Sequence, residues 1–153
     1  MRRLWGVVMR PELIETARRL SVGEARGFRG RDGLIDLERN GAHWFIFREP
    51  DDLVYFRPDT GEIALWNGRA FALGAEQIGY ATTFSLDAGL KIVSSVERWL
   101  ECRGAALFVL DWSRAFMMLQ TCPRLQIDES IRSKYNQAMR PTRMPAVRTA
   151  LGR

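Results

Sequence analysis

Between residues 33 and 73 the apolar positions gather into five short runs: GLIDL, HWFIFR, LVYFR, EIALW and RAFAL. Each is rich in β-branched, aromatic or aliphatic side chains. The turn signals RNGA, EPDD, PDTG and NG separate them. Runs this short, broken this regularly, predict an antiparallel β-meander of four to five strands. Asn40-Gly41 and Asn67-Gly68 read as hairpin turns, since type I′ turns need positive φ at both central positions. Pro58-Asp59-Thr60-Gly61 suits a type I turn with a glycine exit. Aromatic residues in HWFIFR and LVYFR nearly fill both alternating faces, so at least one central strand is predicted to be covered on both sides.

Outside this stretch the pattern turns helical. Pro11 suits a first helical turn, and Leu13, Ala17 and Leu20 then share one face. The following VGEARGFRGRDG carries four glycines and reads as a mobile loop. Residues 85–101 are predicted as a helix capped by Ser85, with Asp87 at the positive end of its dipole. Its buried stripe would be Leu86, Leu90, Val93, Val96 and Leu100, with Gly104 as the stop. Periodicity cannot settle AALFVLDWSRAFMMLQ, where almost every position is apolar. The favoured reading is a strand over residues 105–110, then a short helix over about 112–120 with Asp111 as its N-cap. One long buried helix is the rival. Residues 128–139 predict a last helix, capped by Asp128, with Ile131, Tyr135, Ala138 and Met139 on its buried face. The fold class is therefore α+β: an antiparallel β-meander over about 33–73, an N-terminal helix, and C-terminal helices packed on one face. Residues 1–140 are expected to form one globular domain, and 141–153 a basic flexible tail. Met9 precedes a natural helix opening, so residues 1–8 read as an appended segment.

Composition narrows the function classes. A chain of 153 residues with 46% hydrophobic residues and five tryptophans can build a real core. No run of 18 apolar residues occurs, so no membrane span is expected, and the short apolar patch near the N-terminus falls short of a secretory signal. The default compartment is the cytoplasm. Cys102 and Cys122 form no CxxC pair and are expected as free, partly buried thiols. With one histidine, no metal site is expected. No cofactor is implied either: RGFRGR is not GxGxxG, and no GxxxxGK[ST] occurs.

Charge is distributed unevenly around a net of +5. Of the 23 basic residues all but Lys91 and Lys134 are arginine. Residues 1–31 hold eight arginines against Glu12, Glu15 and Glu24. Residues 124–153 hold seven basic groups against Asp128 and Glu129, so each end is net +5. The middle is net −5. Two basic ends thus flank an acidic centre.

Five constellations could carry chemistry. In RGFRGR, Arg26, Arg29 and Arg31 around an aromatic could bind phosphates while the ring stacks on bases; the alternative is a solvated linker. Arg132, Lys134, Arg140 and Arg143, with the basic tail, could follow a phosphate backbone; the alternative is a solvated helix face. Asp111, after the apolar LFVL, could face an acidic site with Asp36, Glu38, Asp59 or Glu62, although a cap is its simpler role. No PD…ExK pattern completes such a site. His43 reads as a strand-end hydrogen-bonding residue, and Cys102 as a helix-end core thiol near Arg98 and Arg103. Finally, Trp44, Tyr55 and Trp66 represent an aromatic sheet that could offer a protein-binding face if left bare.

The run YFRPDTGEIALWNG resembles the strand–turn–strand unit of an immunity-protein fold. That resemblance covers under a fifth of the chain and implies a hairpin only. The leading expectation is a non-enzymatic, nucleic-acid-associated accessory protein, of the kind mobile elements carry, using its basic ends. The alternatives are a protein-interaction module (adaptor, immunity or inhibitor protein, or a homodimer) using the aromatic sheet, and an enzyme with an acidic site near Asp111, Asp36 and His43.

Overall fold

A computed structural model describes residues 9–140. Its centre is a five-stranded antiparallel sheet in the order β2-β1-β3-β4-β5. The strands are β1 (Gly23–Arg29), β2 (Ile35–Leu37), β3 (Ala42–Glu49), β4 (Asp52–Phe56) and β5 (Ile63–Leu65). The sheet curls until its edges meet. Leu34, just before β2, bridges Leu65 of β5, and the Leu65 amide donates to the Gly33 carbonyl at 3.0 Å. Across the same seam Arg29 Nε donates to the Ile63 carbonyl at 2.8 Å. Curling removes most of the exposed edge that an open sheet would present.

The alternation of side chains gives the sheet two buried faces. Inside the curl lie Trp44, Tyr55 and Ala64, with Ala25, Ile35, Ile46 and Leu53 around them. Trp44 Nε1 donates to the Gly27 carbonyl at 2.9 Å, which satisfies the polar atom of a fully buried indole. Phe45, Phe47, Val54 and Phe56 point outward and meet Leu13 and Ala17 of helix α1 (Pro11–Leu20) and Trp99 and Leu100 of helix α2 (Val96–Glu101). The expectation of double coverage is met, and α1 begins at Pro11 as predicted.

The glycine-rich segment is not a mobile loop. Residues 23–29 form β1, which lies between β2 and β3, so β2 and β3 do not pair. Asn40-Gly41 is therefore not a type I′ hairpin turn. Gly41 serves a different need, because a Cβ there would lie 2.4 Å from the Gly27 Cα. The β2–β3 connection crosses β1 at backbone contact, which requires glycine at 41; a Cβ on Gly27 would instead lie 2.4 Å from the Asp36 carbonyl oxygen of β2. Asn67-Gly68 likewise joins no hairpin, since the next strand, β6 (Ala72–Leu73), belongs to another sheet with β8 (Phe108–Val109). The Pro58–Gly61 turn is as predicted: it joins β4 to β5, and Gly61 has φ 81°.

The region predicted as one helix over residues 85–101 is three elements. A 3-10 segment (Ala81–Asp87) leads to β7 (Leu90–Ile92), and only then comes α2. Leu90 and Ile92 are buried and Lys91 is exposed, which is the strand period rather than the helical one. Ser95, not Ser85, caps α2 by accepting the Arg98 amide at 3.2 Å. β7 pairs in parallel with β9 (Leu125–Ile127). The strand–helix reading of the following segment holds in outline: β8 is short, and helix α3 (Ala115–Leu119) follows a turn that Asp111 caps. The rival single helix is excluded. Helix α4 (Arg132–Ala138) packs Tyr135, Ala138 and nearby Met139 on a second core with Phe71, Ile92, Leu107 and Leu119. Asp128 does not cap it; its Oδ2 accepts the Ser94 amide at 3.0 Å and pairs with Arg98. Among the described residues no helix is long and apolar enough to cross a membrane.

Candidate functional site

The basic glycine segment becomes part of a β-ribbon. Opposite residues of β1 and β2 share a face, which places Phe28 with Asp36 and Arg29 with Ile35. Phe28 is 50% exposed. Arg26, Arg29 and Arg31 are all exposed, and none has a carboxylate within ion-pair distance among the described residues. Arg26 and Arg29 are oriented by one bond each, to the Gly41 and Ile63 carbonyls. Each keeps further N–H groups for a ligand.

The opposite end of β3 holds a second, more elaborate arrangement. The β3–β4 hairpin turns on Pro50-Asp51, with Asp51 at φ 62°, and places Glu49 directly across from Asp52. Both carboxylates are buried, at 8% and 7% exposure. Asp52 gathers four backbone amides: Leu53 and Asn67 on Oδ1 at 2.8 and 2.9 Å, Arg69 and Ala70 on Oδ2 at 2.7 Å each. Glu49 accepts Gly74 at 2.8 Å and Ala75 at 3.2 Å. One hairpin tip thus fastens two stretches of the segment that follows the sheet. Burial pushes the Glu49 carboxyl up from 4.5 to about 7, against the two amide bonds, which pull it down; the nearby Glu76 charge adds to the rise.

A cleft of about 450 Å³ opens beside this tip. Glu49 and Asp51 line one side, Phe71 and Met118 supply apolar surface, and Asp111 and Arg114 come from the capped turn before α3. Asp111 Oδ1 accepts both the Ser113 amide (3.1 Å) and the Ser113 hydroxyl (2.6 Å). Arg114 lies over the Phe71 ring at 5.9 Å and donates to the Arg69 carbonyl at 2.5 Å. The cap predicted for Asp111 is present, and it also sets Asp111 and Arg114 on the same cleft.

The remaining candidates are dispersed. Asp36 lies on edge strand β2 and His43 on β3, where its Nε2 pairs with Glu24. Neither lines the Asp111 cleft, so the acidic triad of Asp111, Asp36 and His43 does not assemble around it. Asp59 and Glu62 bind Arg57 within the β4–β5 turn. Arg132 pairs with Glu129, Lys134 lies over the Trp112 ring at 5.9 Å, and Arg140 follows α4. Arg143 and the tail lie outside the described residues. Trp44 and Tyr55 are interior and present no surface to a partner; Trp66, at 51% exposure, does. Cys102 and Cys122 are free thiols, each half-buried. Among the described residues no group of three or more His, Cys, Asp or Glu could hold a metal ion.

Glu49 and Asp52 are what sequence reasoning missed. EPDD reads only as a turn signal. No local signal marks them: RAFAL reads as a further strand, and only the fold shows that the amides of Asn67, Arg69 and Ala70 take their acceptor from Asp52 rather than from a ladder. Comparison with known protein families, with curated proteins and with solved structures found no match.

Proposed function

We propose that this is a non-enzymatic binding protein for nucleic acid, with the β1–β2 ribbon as its contact surface. The observation that supports this reading is Phe28, half-exposed on β1, with exposed Arg26 two residues before it on the same face. An exposed sheet aromatic offers a stacking surface to an unpaired base, and the Arg26 guanidinium on the same face can contact an adjoining phosphate, with Arg29 and Arg31 adding basic charge at the end of the ribbon. Single-stranded nucleic acid is the target this pairing suits, since a duplex keeps its base faces stacked. Arg132, Lys134, Arg140 and Arg143 would add to the general attraction for a polyanion.

The test is fluorescence anisotropy with labelled single-stranded and duplex oligonucleotides across a salt series. Phe28→Ala should weaken single-strand binding by about 1–3 kcal/mol with an unchanged salt slope, because stacking releases no counterions. Arg31→Ala should reduce the slope of log K against log salt by about 0.7. Absence of binding at low salt overturns the proposal.

A further inference from the structure

We propose that the cleft beside the β3–β4 hairpin tip binds a small amphoteric ligand, one bearing an anionic carboxylate or phosphate and an ammonium group. The argument starts from charges that share a cleft without pairing. Arg69 and Arg114 line it, as do Glu49, Asp51 and Asp111. Among the described residues no ion pair forms between the two sets within 4.0 Å. On a free surface, long arginine side chains close onto nearby carboxylates at little cost. Here the geometry holds the signs apart.

Several of these groups keep polar atoms free. Arg114 spends Nη1 on the Arg69 carbonyl and keeps its other N–H groups. Asp111 spends Oδ1 on Ser113 and has no described partner on Oδ2. Asp52 fixes the Arg69 backbone through its amide at 2.7 Å, while the Arg69 side chain makes no hydrogen bond or ion pair among the described residues. Buried Phe71 backs the guanidinium of Arg114. Two guanidinium groups provide a planar, multidentate receptor for an oxyanion. Asp111, through its free Oδ2, and Asp51 provide acceptors for an ammonium in the same cleft. The volume suits a small molecule. A simple anion would leave the carboxylates unmatched, and a simple amine would leave the arginines unmatched.

The test is amide-resolved NMR titration of the full chain with phosphoethanolamine and β-alanine, alongside inorganic phosphate and ethanolamine. At least one amphoteric probe should give saturable shifts at Arg69, Ala70, Gly74 and Ala75, with a Kd of about 1 mM for so small a ligand. Phosphoethanolamine and β-alanine distinguish phosphate from carboxylate as the preferred anion. Each single-charge probe should bind at least about tenfold more weakly than the better amphoteric one. Arg69→Ala should weaken the response about tenfold with an otherwise unchanged spectrum, and Phe28→Ala should leave it intact. No saturable shift with either amphoteric probe overturns the proposal. So does phosphate or ethanolamine binding equally well, or a response that Arg69→Ala leaves unchanged.

Discussion

Strands β1 to β5 bury Trp44 and Tyr55 on one face and Phe45, Phe47 and Phe56 on the other, and regular ladders satisfy their backbone. Residues 67–75 are built differently. They join no ladder until β6, and six of the amide bonds that fix the hairpin tip and this segment go to two carboxylates. The first region rests on apolar burial, which is non-directional and insensitive to pH. The second rests on hydrogen bonds to two carboxyl groups, which are directional and, at Glu49, coupled to protonation. The contrast accounts for where the two candidate surfaces lie. The ribbon surface is a face of the rigid sheet, and the cleft forms where the carboxylate-held segment meets α3.

The largest effect is expected from the sheet. Trp44→Ala removes a fully buried indole and its bond to Gly27, and should cost about 3–5 kcal/mol. Urea denaturation would measure it, and hydrogen exchange would show whether the loss is shared. Uniform loss of protection means that both regions unfold as one unit; loss confined to β1–β5 would break the molecule into two. Asp52→Ala comes next, at about 2–3 kcal/mol, because partly solvated amides regain water when their acceptor goes. Its signature is local. Exchange should accelerate at Asn67, Arg69 and Ala70 while the amides of β1 and β3 stay protected. Equal acceleration in the sheet would contradict the division drawn here.

The same contrast decided what could be read in advance. The sheet runs were legible because apolar alternation reports burial directly, and the Pro58–Gly61 turn because each residue there has one local job. The place of β1 was not legible. Its glycines look like loop residues when read along the chain, and only the contact between Gly27 and Gly41 reveals them as packing positions. Leu90, Val93, Val96 and Leu100 matched a helical stripe, yet Leu90 and Ile92 bury at strand spacing. In so short a stretch both periods fit, and pairing with β9 decides. Of the candidate chemistry, Asp111 could be singled out because it ends an apolar run. Glu49 and Asp52 could not, since nothing local distinguishes a buried turn carboxylate from a solvated one.

The effect that isolates the carboxylate-held region, spread gradually over about two to three pH units, is a dependence on pH. Glu49 titrates near pH 7 in the folded chain, raised by burial, against an ordinary value of 4.5. Between these values the folded state holds a proton that the unfolded state has released. Stability should therefore be fullest below about pH 4.5, fall as pH rises toward 7, and flatten above it; this single group accounts for about 3 kcal/mol over the whole range. Glu49→Gln cannot ionise, so its stability should lack that slope. Urea midpoints from pH 5 to 8 for the two proteins provide the measurement. The slope belongs to Glu49 only if it disappears in the variant while Trp44→Ala retains it. Retention in Glu49→Gln would assign the slope to other groups and overturn the pH sensitivity argued for Glu49.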